Sequence, residues 1–140
     1  MLQRQLKKSG VATGKTTAHK AMADLIYEML HASTKTHITH LLTTSYAAHV
    51  ALGEFYDGVA DLADGLAEQY QGHVEMLLDY PDEANVPTLK TPEDAVKYLR
   101  VMYDKIGNVQ SMITCSAIIN TMDEIKSLIN TVKYKLIFLK

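Results

Sequence analysis

The sequence predicts an all-α fold of four helices, and three observations support this. Apolar residues make up 47% of the 140 residues, and the chain contains only 3 prolines and 7 glycines, which leaves room for long helices around a core. Four segments show the three-to-four-residue apolar spacing of an amphipathic helix. One segment with prolines and acidic residues, 79–90, separates the second helix from the third.

The first helix is expected to begin near Thr16 or Thr17, because a threonine hydroxyl can cap the free N–H groups of a helix start. Its apolar positions are Ala18, Met22, Leu25, Ile26, Met29, Leu30, Ile38, Leu41 and Leu42. The β-branched and polar stretch 42–46 predicts a break, with Ser45 as a candidate cap for the second helix. The apolar stripe of the second helix is Ala48, Leu52, Phe55, Val59, Leu62, Leu66 and Tyr70. Gly72 is expected to end or loosen this helix.

The third helix has the clearest start signal in the sequence. Thr91 is the expected cap, Pro92 suits the first helical position, and Glu93 and Asp94 favour the positive end of the helix dipole. Its apolar positions are Val96, Leu99, Met102 or Tyr103, Ile106, Val109 and Ile113. The fourth helix is predicted to start at the capping-box pattern that begins with Thr121. Its apolar positions are Met122, Ile125, Ile129, Val132, Leu136 and Leu139.

The predicted helices must pack against one another, because each has one apolar stripe. The long connection between the second and third helices allows a crossover along the bundle, and a simple up-down-up-down order is the alternative. The sequence thus divides into a flexible basic arm, residues 1–15, and a four-helix bundle, residues 16–140.

Charge is unevenly distributed along the chain. Residues 1–20 contain five basic residues and no acidic one, so the formal net charge of −2 leaves −7 on the other 120 residues. Candidates for non-specific contacts with DNA phosphates are Arg4, Lys7, Lys8 and Lys15; a solubilising tail is the alternative. A single cysteine, the lack of an apolar leader and the lack of an apolar run of about 20 residues favour a cytoplasmic location without membrane insertion.

All histidines of the chain, at positions 19, 31, 37, 40, 49 and 73, lie in the region of the first two helices. A di-iron carboxylate site inside one bundle uses Glu-x-x-His on two helices. Here the stretch from Glu28 to His31 is the only such motif. A metal site between two subunits fits the sequence better.

The residues for such a site lie on the first two helices. His37 and His49 flank the predicted turn between them, so the turn can bring the two together. Asp64 and Glu68 lie four residues apart on one face of the second helix. The helical distance from His49 to Asp64 is about 22 Å, too long for one ion, although both residues share a face. Antiparallel second helices around a two-fold axis would join the histidines of one subunit to the carboxylates of the other, twice per dimer.

The spacing of these four residues resembles that of the Dps mini-ferritins, with intervals of twelve, fifteen and four residues. The stretches Glu-Phe-Tyr at 54–56 and Asp-Gly-Leu-Ala-Glu at 64–68 are similar to the second helix of that family. The resemblance covers about residues 20–70 and rests on length and pattern beyond them. Two positions depart from the family pattern: Gly53 replaces a usual acidic ligand, and Ile38 replaces a common tryptophan.

The resemblance implies a ferritin-like four-helix bundle that oxidises Fe(II) with peroxide or dioxygen and stores iron inside a homo-oligomeric cage, a dodecamer in the family. The implied ferroxidase ligands are His37, His49, Asp64 and Glu68. Candidates for a further ligand are His40, Glu54 and Asp57. Iron is the expected metal, with zinc or manganese as competitors. The alternative, which Gly53 favours, is a ferritin-like helical oligomer without this chemistry that acts as a structural or interaction module.

Overall fold

The computed structural model describes residues 13–82 and 88–140, with side chains from residue 17 onward in the first range. These residues form α1 (Thr13–Leu42), α2 (Tyr46–Val74), α3 (Pro92–Gln110) and α4 (Ser116–Phe138). The described part of the chain contains no strand, which confirms the predicted all-α class. Within the same ranges, each helix is too short or too polar to cross a membrane.

The turn between α1 and α2 lies where the sequence predicts it. α1 begins at Thr13, three residues before the expected start at Thr16. The turn consists of residues 43–45. Ser45 caps α2, because its hydroxyl accepts a hydrogen bond from the backbone N–H of Ala48 at 3.2 Å. The two helices are therefore joined by a short, capped connection.

The connection between α2 and α3 begins and ends with defined capping geometry. α2 continues past Gly72 to Val74, and the capping residue Glu75 has the left-handed conformation with φ of 55°. α3 begins at Pro92, as predicted. The Thr91 hydroxyl accepts the Asp94 N–H at 3.1 Å, and the Asp94 carboxylate accepts the Thr91 N–H at 3.3 Å. This reciprocal capping box confirms the start expected for the third helix.

The predicted start of the fourth helix at Thr121 is wrong, because α4 begins at Ser116. Ile118 is 1% exposed and packs in the core one turn before Met122. Burial of this extra turn extends the helix beyond the capping-box pattern. The Thr121 hydroxyl instead donates to the side-chain oxygen of Gln69 on α2 at 2.8 Å.

One continuous core receives side chains from all four helices. In α2 the buried residues include the predicted Ala48, Leu52, Phe55, Val59, Leu66 and Tyr70. In α3 Met102 is buried and Tyr103 is only partly buried. The expected core positions Ile113 and Leu139 lie outside α3 and α4, and Leu139 is exposed.

The second half of α1 differs from its sequence prediction. Four of its expected core residues are 42–64% exposed, namely Leu30, Ile38, Leu41 and Leu42. Thr36 and Thr39 are buried in their place. The Thr36 hydroxyl donates to the Ala32 carbonyl at 2.7 Å, and that of Thr39 to the Leu89 carbonyl at 2.6 Å. Because both hydroxyls are hydrogen-bonded, this polar face can be buried at little cost.

Contacts between side chains fix the directions of the helices. The adjacent pairs are α1 with α2, α2 with α4, α4 with α3, and α3 with α1. The contacts are His19–Tyr70, His40–His49, Glu54–Lys135, Gln69–Thr121, Tyr103–Lys133, Gln110–Asp123, Glu28–Lys105 and Lys35–Tyr98. In every pair, early residues of one helix meet late residues of the other, so neighbours are antiparallel. α2 and α3 therefore run in the same direction, and the chain between them returns along the length of the molecule.

A lysine is buried where α1 meets α3. Lys35 is 7% exposed, and its Nζ atom lies 4.6 Å from the centroid of the Tyr98 ring. Burial lowers the pKa of Lys35, although the nearby Glu28 opposes this shift. Burial also raises the pKa of Tyr98, whose hydroxyl is buried and has no hydrogen-bond partner among the described residues. Glu28 itself accepts hydrogen bonds from Lys105 of α3 at 2.9 and 3.0 Å.

Candidate functional site

Four rings gather beside the turn between α1 and α2: His37 and His40 of α1, and His49 and Tyr56 of α2. We name this group the ring cluster. The His40 and His49 rings are stacked with centroids 3.6 Å apart, and the His37 and Tyr56 rings are stacked at 3.9 Å. Edge-to-face contacts join His37 to His40 at 5.8 Å and His40 to Tyr56 at 5.2 Å. Every ring of the cluster therefore touches His40.

The ring cluster follows from the local sequence. His37 and His40 are three residues apart on α1 and therefore project from the same side of that helix. His49 and Tyr56 are seven residues apart, two turns along α2, and likewise share a side. Since the connecting turn is only three residues long, α2 folds back directly and places residue 49 opposite residue 40.

His40 and His49 are hydrogen-bonded to each other's backbone. Nδ1 of His40 lies 2.6 Å from the carbonyl oxygen of His49, and Nδ1 of His49 lies 2.9 Å from the carbonyl oxygen of His40. A carbonyl oxygen can only accept, so each Nδ1 carries the proton. In a neutral imidazole the lone pair is then on Nε2, the form in which histidine binds a metal ion while its other nitrogen is held by a carbonyl.

The predicted carboxylates lie far from the ring cluster within one chain. Asp64 and Glu68 are exposed on α2, and neither forms a hydrogen bond or ion pair within the described ranges. The helical rise separates His49 from Asp64 by about 22 Å. Consistently, no group of three or more His, Cys, Asp or Glu residues in the described part of a single chain is arranged to hold a metal ion. The four predicted ligands therefore lie in two separate regions of the chain, the histidines near the turn and the carboxylates further along α2.

The three candidates for a further ligand have different surroundings. His40 lies in the ring cluster, between the other two imidazoles. The Glu54 carboxylate accepts hydrogen bonds from Nζ of Lys135 on α4, both at 2.7 Å. Asp57 is exposed on α2. Of the three, only His40 contacts a predicted ligand in the structure.

The sequence argument missed the roles of His40 and Tyr56. It paired His37 with His49 across the turn, whereas the structure stacks His40 on His49 and Tyr56 on His37. The signal was present in the turn itself, because a connection of three residues places position 40, and not position 37, opposite position 49.

The other three histidines lie outside the ring cluster. Nδ1 of His19 lies 2.6 Å from the hydroxyl oxygen of Tyr70. Nδ1 of His31 donates to the backbone carbonyl of Tyr27 one turn earlier, at 2.9 Å. His73 is exposed near the end of α2.

The proposed DNA-contacting residues lie beyond the described side chains. Arg4, Lys7 and Lys8 belong to residues 1–12, which are outside the described residues, as is most of the expected arm. Lys15 lies within the bounds of α1, but its side chain is not described. The prediction of DNA contacts therefore stays a prediction.

The described residues define an all-α protein with a cluster of imidazole rings at one turn. The chain belongs to a family of unknown function, DUF5856, whose model matches residues 40–136, more than two thirds of the sequence. The matched range includes His40, His49, Asp64 and Glu68 and excludes His37. No curated protein and no solved structure matches the chain.

Proposed function

We propose that this protein is a ferritin-like four-helix bundle of the Dps kind, which oxidises Fe(II) at sites between two subunits. Each site would combine His37 and His49 of one subunit with Asp64 and Glu68 of the other. The ferric product would be stored in the cavity of a homo-oligomeric cage, by family resemblance a dodecamer. Each Fe(II) loses one electron, which dioxygen or peroxide accepts.

The ring cluster is the observation that carries this proposal. One of the proposed ligands, His49, donates its Nδ1 proton to a backbone carbonyl and so presents Nε2 as the basic atom; the neighbouring His40 is held in the same way. His37 is exposed, as are the two carboxylates on the same face of α2 as His49. Imidazole and carboxylate together suit Fe(II), and they also accept zinc or manganese. The antiparallel neighbours and the long return between α2 and α3 are compatible with a ferritin-like order of helices.

A two-fold axis close to Asp57 would complete both half-sets at once. Residue 57 lies midway along α2 between His49 and the carboxylate pair, so antiparallel α2 helices crossing there bring opposite ends together. Exposed apolar side chains border the half-set of histidines: Ile38, Tyr46 and Val50 are 42%, 81% and 43% exposed. An interface between subunits would remove this apolar surface from water.

Aerobic oxidation of Fe(II), followed by absorbance of the ferric product, tests the proposal. The wild-type protein should oxidise Fe(II) faster than buffer and retain the iron through gel filtration. The double variant His49→Ala/Asp64→Ala should lose this activity, because each completed site lacks one ligand from each subunit. Asp104→Ala, which removes an exposed carboxylate of α3, is the matched control and should behave as wild type.

Light scattering on the same samples separates assembly from chemistry. A wild-type protein that assembles but is as inert as the double variant would reject the iron proposal. The ferritin-like helical oligomer acting as a structural or interaction module would then be the better description. A monomeric wild type would reject both.

The proposal also includes non-specific binding and protection of DNA, which would depend on the basic arm. Contacts from Arg4, Lys7, Lys8 and Lys15 to phosphates would be independent of base sequence and would weaken as salt rises. A gel shift with wild type should be lost after deletion of residues 1–15. Unchanged binding by the deletion variant would exclude the arm as the contact site.

A further inference from the structure

His40 has the central position in the ring cluster. Its ring stacks on His49 at 3.6 Å and meets the edges or faces of His37 at 5.8 Å and Tyr56 at 5.2 Å. The two proposed imidazole ligands therefore both contact His40. The face of the His49 ring packs on His40, whereas the face of the His37 ring packs on Tyr56 at 3.9 Å.

Gly53 of α2 lies against the His40 ring. A Cβ atom built on Gly53 would lie 3.4 Å from Cε1 and 3.6 Å from Nδ1 of His40. Those distances are ordinary contacts, so an alanine would fit against the ring. A carboxylate side chain extends at least two atoms further, and a rotamer directed toward His40 would overlap the imidazole. Glycine at position 53 and the imidazole at position 40 are thus spatially linked.

The hydrogen bond of His40 commits its Nδ1 to the protein. Nδ1 of His40 donates to the carbonyl oxygen of His49 at 2.6 Å, which ties the first turn of α2 to the end of α1. The return bond, from Nδ1 of His49 to the carbonyl of residue 40, depends on the His40 backbone and not on its ring. The ring therefore acts on His49 by stacking and by holding its backbone.

We propose that His40 is a positioning residue for His49. This inference rests on the proposed function as far as it concerns metal binding. The orientation of the His49 ring in the metal-free protein does not depend on that function. The orientation of the His49 ring and the affinity for a metal ion can therefore be measured separately.

Two isosteric variants distinguish positioning from coordination. The amide nitrogen of asparagine is two bonds from Cβ, as Nδ1 of histidine is, so His40→Asn keeps the donor to the His49 carbonyl. The amide nitrogen of glutamine is three bonds from Cβ, as Nε2 is, so His40→Gln keeps an atom near Nε2 and loses that donor. Circular dichroism checks that both variants are folded.

The first measurement is the tautomer of His49 by ¹⁵N NMR of metal-free protein at pH 8. Wild type and His40→Asn should show a protonated Nδ1 and a basic Nε2 at His49. His40→Gln should show averaged nitrogen shifts, since the first turn of α2 is no longer tied. A protonated Nε2 at His49 in the wild type, or wild-type spectra of His49 in both variants, would overturn the inference; averaged shifts in both variants would support positioning by the stacked ring.

The second measurement is Co(II) affinity, titrated by absorbance with wild type and the two variants. His40→Gln should weaken binding about 10-fold to 100-fold, the effect of losing a group that orients a ligand, and His40→Asn should weaken it less. If both variants weaken binding equally while His49 keeps its tautomer, His40 is itself a ligand and the inference is wrong. If wild type binds no Co(II), the proposed metal function fails, and the NMR result alone decides the positioning role.

Discussion

The two helical hairpins of this protein are fastened across their turns in chemically different ways. In the α3–α4 hairpin, the amide of Gln110 donates to the carbonyl of Ile119, nine residues later, at 3.1 Å. In the α1–α2 hairpin, His40 and His49, also nine residues apart, donate to each other's carbonyls and stack. A single glutamine is sufficient to join two helices across a short turn. In the α1–α2 hairpin the hydrogen bond from His40 corresponds to that of Gln110. The other rings of the cluster, His37, His49 and Tyr56, are not needed to join the two helices.

The hairpins also differ in where their functional side chains lie. All six histidines and the predicted carboxylates belong to the α1–α2 half of the chain, and the sequence of α3 and α4 contains no histidine. Both hairpins nevertheless contribute to one core. We therefore expect stability to be shared between the hairpins and the proposed metal binding to depend on the α1–α2 hairpin alone.

The largest effect should come from cavities in the shared core. Leu52 of α2 and Leu99 of α3 are both fully buried. Replacing either with alanine should lower the free energy of unfolding by about 2–5 kcal/mol. Urea unfolding followed by circular dichroism and by tyrosine fluorescence should give one coincident transition for each variant. Separate transitions for Leu52→Ala or Leu99→Ala would show that the hairpins are independent units.

Replacing the residues that join the helices across the two turns, Gln110 and His40, should lower the free energy of unfolding by smaller and unequal amounts. Gln110→Ala loses the hydrogen bond to the Ile119 carbonyl, worth about 1 kcal/mol net, and side-chain bonds with Asp123 at 2.7 Å and Lys126 at 3.2 Å, which are closer to solvent and add less. His40→Ala loses a comparable bond and also a stacked ring contact worth about 0.5–1.5 kcal/mol. Urea midpoints should therefore fall further for His40→Ala, with exposed His73→Ala as the control. Equal losses for the two variants would mean that stacking adds nothing.

Two glycines of α2 should respond differently to alanine. At Gly65 an added Cβ has no neighbour within 4 Å, so Gly65→Ala should stabilise the protein by about 0.5–1 kcal/mol. At Gly58 the Cβ would lie 2.9 Å from Cδ2 of Leu128 on α4, so that side chain must move. Thermal denaturation should rank Gly65→Ala above Gly58→Ala. The reverse order would contradict close packing of α2 on α4 at this point.

The smallest expected effect is a pH dependence where the hairpins meet. Burial lowers the pKa of Lys35 in the folded state below the ordinary value of 10.5. Between the lowered pKa and 10.5 the unfolded chain binds more protons, so the free energy of unfolding should rise with pH through that window. Lys35→Met should remove this rise in urea titrations from pH 8 to 10, and exposed Lys97→Met should not. Above pH 10 the raised pKa of Tyr98 acts in the opposite direction.

Much of the fold could be predicted because the helix signals are local. Ser45 and Thr91 cap helices where the sequence placed them, since a cap depends on a side chain and an N–H two or three residues away. The start of α4 was missed because burial of Ile118 outweighs the later capping pattern at Thr121. The outward position of Leu41 could not be predicted either, because the choice between apolar faces of α1 depends on which helices pack against it.

The residue types of the candidate site could be chosen from the sequence, but the contacts between their side chains could not. The spacing from His37 to Glu68 pointed to a shared metal site, and the structure leaves both half-sets exposed or partly exposed. The central place of His40 depends on the ring being opposite Gly53, a contact between helices that spacing along one helix does not reveal. The proposed site also requires a second subunit. The only sign of this in the sequence is that one chain has an incomplete set of ligands at each end of α2.

The long return between α2 and α3 has a consequence for the order of folding. Contacts within the α1–α2 hairpin close a short loop, since His40 and His49 are nine residues apart. The ion pair of Glu28 with Lys105 joins residues 77 positions apart, and the entropy lost on closing a chain segment grows with its length. Since the contact from Gln110 to Ile119 also spans nine residues, we expect both hairpins to form early and to dock on each other late, so that the imidazole rings meet before the shared core is complete.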